Sequence, residues 1–481
     1  MKKLTIIIIS ILMVNSVFCQ NAADVLRYSR VYYSGTARFV GTGGAFGALG
    51  ADFSALAVNP AGIGLYQGSE FSMTMAPSVE NTRADYMTLS GTTSVVNFGM
   101  GNVGFVFTFK TNPGQKTGLL NFNVGFGMNR QNDYNNSFYV EGANHSSSLL
   151  NVYTDKLNNN PGSKPSDYPF DIGPAADASL IYIDPLTHKY TSDMPHGGAF
   201  QSKQVNTDGS LNEFDIVMGA NISDKLYIGM TFGIPFIRYY ENSSYSEKDR
   251  GDSIKYFQSM YYDYHLDTHG TGFNVKGGVI YRPVNWLRIG VAIHSPTWYA
   301  NMHDHWYSAT TANYDSVLTN NTQYSPAGDY YYHLMTPFRA MGSLAFLIGN
   351  YGLVSAEYEY VNYSQGRLNA PDFSFTDINN EVKSSFKSWG NVRVGTEWRI
   401  FDFRIRGGAA YYSNPYTTGS DGSRFTVSGG FGYRMKHFFT DVTYQYAQSS
   451  EDYYLYNYQG MTPSKNTYST HTVLTTIGFR F

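Results

Sequence analysis

Hydrophobic and polar positions alternate along much of this chain with a period of two. In the carboxyl-terminal HTVLTTIGFRF, Val473, Thr475, Ile477, Phe479 and Phe481 fall on one face, and Leu474, Thr476, Gly478 and Arg480 on the other. That spacing predicts a strand rather than a helix. Upstream, Leu120, Phe122, Val124, Phe126 and Met128 alternate with Asn121, Asn123, Gly125, Gly127 and Asn129. Val392, Val394, Thr396 and Trp398 alternate with Arg393, Gly395, Glu397 and Arg399, and Phe425 to Met435 reads the same way. Apolar on one side and small or polar on the other is the pattern of a barrel wall that faces lipid outside and a filled or wet lumen inside.

The connections follow a second rhythm. Short links at Thr111 to Thr117, Ile222 to Lys225, Pro283 to Trp286, Gly349 to Tyr351, Ile400 to Asp402 and Lys436 to His437 alternate with longer polar, tyrosine-rich stretches. Those are Gly142 to Asn212, Glu241 to His269, Pro296 to Thr336, Asn362 to Lys387 and Ser449 to Ser469. Short periplasmic turns and long outer loops mark outer-membrane barrels, and the runs so bounded number roughly fourteen. Arg83 to Gly99 and Tyr256 to Leu266 stay ambiguous. The proline-punctuated stretch from Ala143 to Gly198 reads as a surface lid with a short helix near Leu149 to Leu157.

Composition changes the picture in one respect. A mean hydropathy of -0.31 suggests a soluble protein, but 42 Tyr, 32 Phe and 48 Gly with only 15% charged residues suit a surface that meets both headgroups and lipid. The opening MKKLTIIIISILMVNSVFCQ has the layout of a secretory signal, so residues 1–19 are expected to be removed on export. Lipidation at Cys19 is the competing reading, which the bulky Phe18 fits poorly. Cleavage after Cys19 leaves no cysteine for a disulfide, thiolate metal site or thiol nucleophile. A formal charge of -3 and the absence of a basic stripe argue against nucleic acid as a partner.

Between this signal and the first alternating strand, Glu70 to Pro77, lies a glycine- and alanine-rich stretch from Gly35 to Tyr66. It is not a dinucleotide loop, because Phe46 stands where a third glycine would be needed, and no lysine follows for a phosphate-binding loop. Asp52 is placed to cap a short helix from Phe53 to Val58, and Asn59 a second turn with Pro60 at its first position. A compact segment of this kind, residues 20–66, suits the inside of a barrel formed by residues 67–481, with long outer loops at 143–211, 241–269 and 296–336.

The order Ala37-Arg38, Gly43-Gly44-Ala45, Asp52-Phe53-Ser54-Ala55-Leu56 and Asn59-Pro60-Ala61-Gly62 closely resembles the N-terminal hatch of the FadL/TodX outer-membrane transporters, which take up long-chain fatty acids and aromatic hydrocarbons. Gly43, Gly44, Asn59, Pro60 and Ala61 carry most of the likeness. The resemblance implies an all-β fold, a transmembrane antiparallel barrel of about fourteen strands plugged by a small helical hatch, in the bacterial outer membrane. It also implies an interior hydrophobic site and a kinked third strand that opens a lateral exit. The polar break Arg130 to Asn136 is the candidate kink, centred on Asn132 and Asp133; the alternative, that the strand has cleared the membrane there, stays open. The closing Phe481 resembles the signal by which the barrel assembly machinery recognises such chains.

Phe39, Phe46, Phe53 and Leu56 are candidate hydrophobic ligand-lining residues, or side chains that hold the plug in place. Arg393, Arg404 and Arg406 are candidate carboxylate anchors, since a guanidinium fork matches a fatty carboxylate; an ion ladder tying wall to wall or to hatch residues such as Arg38 and Asp52 is the favoured alternative, because barrel lumens are polar by default. His303, His305, His265 and His269 do not supply a metal or haem ligand set by spacing, so neither metal nor cofactor is expected. No catalytic constellation stands out, and the expectation is not an enzyme. The reading is passive uptake of a hydrophobic small molecule such as a long-chain fatty acid, with outer-membrane lipid around the barrel. Two others stay open: an accessory subunit of an outer-membrane secretion or assembly complex, paired with another outer-membrane protein, and a diffusion porin.

Overall fold

A computed structural model describes residues 20–111, 114–194, 199–315, 320–419, 421–458 and 460–481. Residues 1–19, the expected signal, lie outside the described residues. Nineteen strand segments form one antiparallel sheet that closes on itself: the first strand, Glu70–Tyr86, pairs with the last, Ser464–Arg480, beginning at Glu70 opposite Arg480. Three wall strands are each built of two segments, and Asn321–Tyr324 and Arg367–Asn369 are short outer additions, so the closed wall has 14 strands.

Alternation places every second side chain in lipid. Met75, Phe126, Val279, Leu344, Val394 and Ile477 are exposed large apolar residues on the outer face. Trp286, Tyr351 and Trp398 stand near the short turns at one edge of this belt, and Trp298 and Trp389 at the other, as amphipathic rings do at the two headgroup boundaries. Closure satisfies the backbone groups between strands, the condition for crossing a bilayer without helices. The apolar belt and the closed wall define a bacterial outer-membrane barrel.

Two of the expected outer loops, Glu241 to His269 and Pro296 to Thr336, prove to be largely strand. Ala199–Ile222, Leu226–Lys248, Phe257–Val284 and Trp298–Tyr314 continue well past the apolar belt. The two ambiguous stretches are strand as well: Arg83 to Gly99 is a hairpin turning at Met87 and Thr88, and all but the first residue of Tyr256 to Leu266 belongs to the sixth strand, which begins at Phe257. Polar alternation hid them, because beyond the membrane neither face needs to be apolar. A helix at Leu149–Asn159, capped by Ser148, packs with Tyr168, Ile172, Tyr245, Met260 and Tyr456 into a second hydrophobic cluster above the barrel. Ser148 Oγ and Leu149 N both donate to the buried Glu247, at 2.6 and 2.7 Å.

Residues 20–66 contain no strand and fill the lumen. Their segments are a helix at Ala22–Ser29, a short helix at Ala37–Gly41, and 3-10 turns at Ser54–Ala57 and Pro60–Leu65. Ser54 N donates to Asp52 Oδ1 at 3.0 Å, and Ala61 N to Asn59 Oδ1 at 3.0 Å with Pro60 at the first position. Around the lumen, wall side chains satisfy the plug's buried main chain: Thr476 Oγ1 accepts from Ala37 N at 2.7 Å and Glu357 from Gly47 N at 2.8 Å. Ser428, Arg288 and His294 bond the carbonyls of Val40, Leu49 and Val58. Buried backbone groups need such partners, and a polar lumen provides them.

Candidate functional site

The third wall strand runs from Leu119 to Asp133 and resumes at Asn136–Asn144. It pairs with the second strand only from Asn121 to Asn129, ending at Asn129 opposite Asn102. Beyond that rung the second strand pairs only with the first, and the third only with the fourth, with a register shift between Arg130 and Asn132. The wall therefore has a seam with no backbone ladder among the described residues. Side chains bridge it: Asn97 Nδ2 donates to Asp133 Oδ2 at 2.8 Å, Thr82 Oγ1 to Asn136 Oδ1 at 2.8 Å, and Thr93 Oγ1 to the Ser137 carbonyl at 2.7 Å.

The plug takes over part of the missing ladder. Tyr32 N donates to the Gln131 carbonyl at 2.7 Å and Ser34 N to the Arg130 carbonyl at 3.1 Å, while Asn132 Nδ2 reaches the Arg30 carbonyl at 3.3 Å. Asn132 and Asp133 thus sit where wall, plug and seam meet. The polar sequence Arg130 to Asn136 suits this place, since its side chains replace backbone hydrogen bonds that a regular strand would make.

Behind the seam is a cavity of about 300 Å³, bounded by Arg27, Arg30, Tyr134, Tyr239, Glu241 and Glu451. A smaller one of about 80 Å³ reaches Val95, Asn97 and Arg130 at the seam itself. Tyr32, Glu80, Asn132, Asp133 and Arg424 line both, so lumen and seam are continuous there. Guanidiniums lie over tyrosine faces, Arg27 at 4.3 Å from the Tyr239 ring centre and Arg424 at 4.6 Å from that of Tyr32. Arg27 pairs with Asp24. Arg424 makes no ion pair among the described residues, and its Nε is shut off from solvent without a hydrogen-bond partner. A buried donor left unpaired is costly unless something accepts from it.

The arginines singled out in the sequence lie elsewhere. Arg393, 1% exposed, bonds both Glu357 and Glu359, and Glu359 also bonds Arg339. Arg406 bonds Glu397 at 2.6 Å and Asp441 at 2.7 Å, and Arg38 of the plug holds the other side of Glu397. Both are rungs of an ion ladder that ties wall to wall and wall to plug. Arg404 sits at the periplasmic rim and donates to the carbonyls of Phe401 and Phe403. Phe39, Phe46, Phe53 and Leu56 are each at most 1% exposed and none faces the seam cavity. Phe53 enters a notch left by Gly104 and Gly127, where an added Cβ would lie 2.2 and 2.7 Å from its ring. Burying such a ring contributes about 1.5–3 kcal/mol.

Gly43 and Gly44 have φ of 63° and 76°, and a Cβ on Gly43 would meet the backbone of Ala409 and Val394 at 2.7–2.8 Å. Asn59 caps Ala61 and donates to the Gly47 carbonyl at 2.6 Å, tying two arms of the plug. Phe481 closes the barrel, exchanging backbone bonds of 3.1 Å with Ser69. His303 and His305 both contact Asp329 on the outer sheet surface; no group of His, Cys, Asp or Glu side chains placed to hold a metal ion occurs among the described residues. Alternation did reveal which wall charges face inward. It missed Arg424, which belongs to the inward set of Thr426 and Ser428 but stands at the strand's first position.

The sequence matches no family model and no curated protein. The fold matches solved structures. A FadL homologue from Pseudomonas aeruginosa superposes with a TM-score of 0.56 at 12% identity, over 94% of this chain and 99% of that one. The toluene transporter TodX of Pseudomonas putida gives 0.55 at 11% identity, over 94% and 100%. The monoaromatic hydrocarbon channel CymD gives 0.51 at 12%, over 93% and 98%. Plugged lumen and closed wall together define the class, a hatch-bearing transmembrane β-barrel. Among such barrels its fold is that of the FadL/TodX type.

Proposed function

We propose that this protein passively carries a hydrophobic small molecule with an anionic head, of which a long-chain fatty acid is the type, from outside into the lumen and out through the seam. The observation that carries this reading is the unladdered seam between the second and third strands, with a cavity directly behind it. Tyrosine rings offer apolar faces to the body of such a molecule, and Arg424, whose Nε has no hydrogen-bond partner, offers its guanidinium to the carboxylate. The plug closes the axial route, which makes the wall the exit. Displacing Tyr32 and Ser34 from the third strand would widen the seam without unfolding the barrel.

Because the only cysteine, Cys19, falls in the expected signal, a pair introduced as Asn97→Cys and Asp133→Cys reports on the seam alone. Oxidation is expected to cut uptake of radiolabelled palmitate by cells at least tenfold, with recovery on reduction. Uptake indifferent to the cross-link overturns lateral exit. Arg424→Gln is expected to weaken palmitate uptake by about tenfold, since a hydrogen bond to a charged group is worth about 1.5–3 kcal/mol, while uptake of toluene stays level. Ile183 and Leu186, exposed on a short outer hairpin, favour a second reading as an accessory subunit that docks a partner. Stoichiometric co-purification with another outer-membrane protein decides for it.

A further inference from the structure

A second charged cavity, of about 360 Å³, lies at the periplasmic mouth below the plug. Five arginines line it, Arg38, Arg399, Arg404, Arg434 and Arg480, against Glu397 alone. Register explains how they gather. On the tenth and eleventh strands, Glu397 stands opposite Arg406, a complementary rung, but the next inward-facing rung toward the periplasm sets Arg399 directly opposite Arg404. Like charges facing each other across an antiparallel pair are destabilising.

The carboxylates within reach are already engaged. Glu397 is shared by Arg38 and Arg406, Asp441 by Arg406 and Arg434, and Glu70 holds Arg480. Arg399 and Arg404 form no ion pair among the described residues and donate only to the carbonyls of Phe401 and Phe403. Asp402, in the turn between them, is exposed and pairs with neither. Five guanidiniums therefore face one carboxylate, Glu397, in a mouth walled by Leu347 and Leu353, and the nearby Asp441 and Glu70 are already paired. A concave, one-signed surface with low-dielectric walls concentrates counter-charge, and guanidinium forks match the planar geometry of oxyanions.

We propose that this vestibule is an oxyanion-binding site, separate from the seam cavity, that takes the carboxylate or phosphate group of a small molecule between Arg399 and Arg404. Occupancy would relieve the repulsion of that rung, and it would place an anion at the periplasmic face of the plug, against Arg38.

Calorimetric titration of inorganic phosphate into the full-length mature protein, in non-ionic detergent at low ionic strength, tests it. Binding is expected, and the double variant Arg399→Gln and Arg404→Gln is expected to weaken it at least tenfold. Arg404→Lys should lie between, because it keeps the charge and loses the fork. Arg83→Gln, at the outer end of the barrel and paired with Asp85, should leave binding unchanged. Thermal unfolding of the double variant should occur no lower than that of the parent, since a repulsive pair has been removed, and this separates lost binding from lost folding. Competition identifies the source of the anion: octanoate displacing phosphate at far lower concentration than acetate assigns the site to the head of a tailed cargo, and equal potency assigns it to a free anion. Absence of phosphate binding to the parent, or equal binding to the double variant, overturns the proposal.

Discussion

At the scale of single residues, charged side chains in the lumen are gathered into small ion-paired groups. Arg393 between two glutamates and Lys276 between Glu213 and Asp215 are buried with their partners. Removing one member leaves a stranded charge, which is far more costly than the pair is stabilising. The outer part of the lumen holds a titratable tie of another kind. Asp304, on the seventh strand above the apolar belt, accepts from Thr268 Oγ1 at 2.7 Å, from Tyr332 and from Gln20, the residue that leads into the N-terminal helix. Burial pushes its carboxyl up to about 6, opposed by those hydrogen bonds. A carboxyl raised on folding stabilises below its unfolded value and loses that contribution as pH climbs to the folded one. Amide exchange in Ala22–Ser29, corrected for intrinsic rate, is therefore expected to quicken between about pH 4 and pH 6. Asp304→Asn should flatten that dependence.

At the scale of elements, the plug depends on close contact of main chain with main chain. At Gly43 the left-handed backbone and the neighbouring strands both exclude a side chain. Gly43→Val is expected to destabilise the plug by more than the ~1–2 kcal/mol of a left-handed residue alone, since the wall backbone must also yield. Limited proteolysis should cleave residues 20–66 faster in this variant, while the barrel keeps its heat-modifiable mobility on gels. The hatch motif was legible in the sequence because the chemistry is local: Asp52 and Asn59 cap turns a few residues away. The seam was only half legible. A run of polar residues from Arg130 to Asn136 marks a departure from strand, but the loss of pairing belongs to the second strand as much as to the third.

At the scale of the whole molecule, the plug is bonded to strands all round the lumen and so obstructs the axial route among the described residues. In planar bilayers the protein is expected to show conductance well below that of an unplugged barrel of the same strand number. Large, steady single-channel currents would instead favour a diffusion porin. The strands that rise above the membrane carry a second hydrophobic cluster far from the lipid. On the proposed function, a ligand captured there would meet the tyrosine- and arginine-lined cavity before the seam.

Sequence alone determined what period and local chemistry can carry: the strand faces, the short turns, the barrel, and the capped turns of the plug. These rest on neighbours within a few residues, so the pattern survives in one dimension. Tertiary structure decided which charges cancel, which arginines stay free, and where the wall opens. Arg393 and Arg404 look alike along the chain, yet one is enclosed by two glutamates and the other faces Arg399 across an open rung. That difference is set by register between strands and by where the plug lodges, and neither leaves a periodic trace in the sequence.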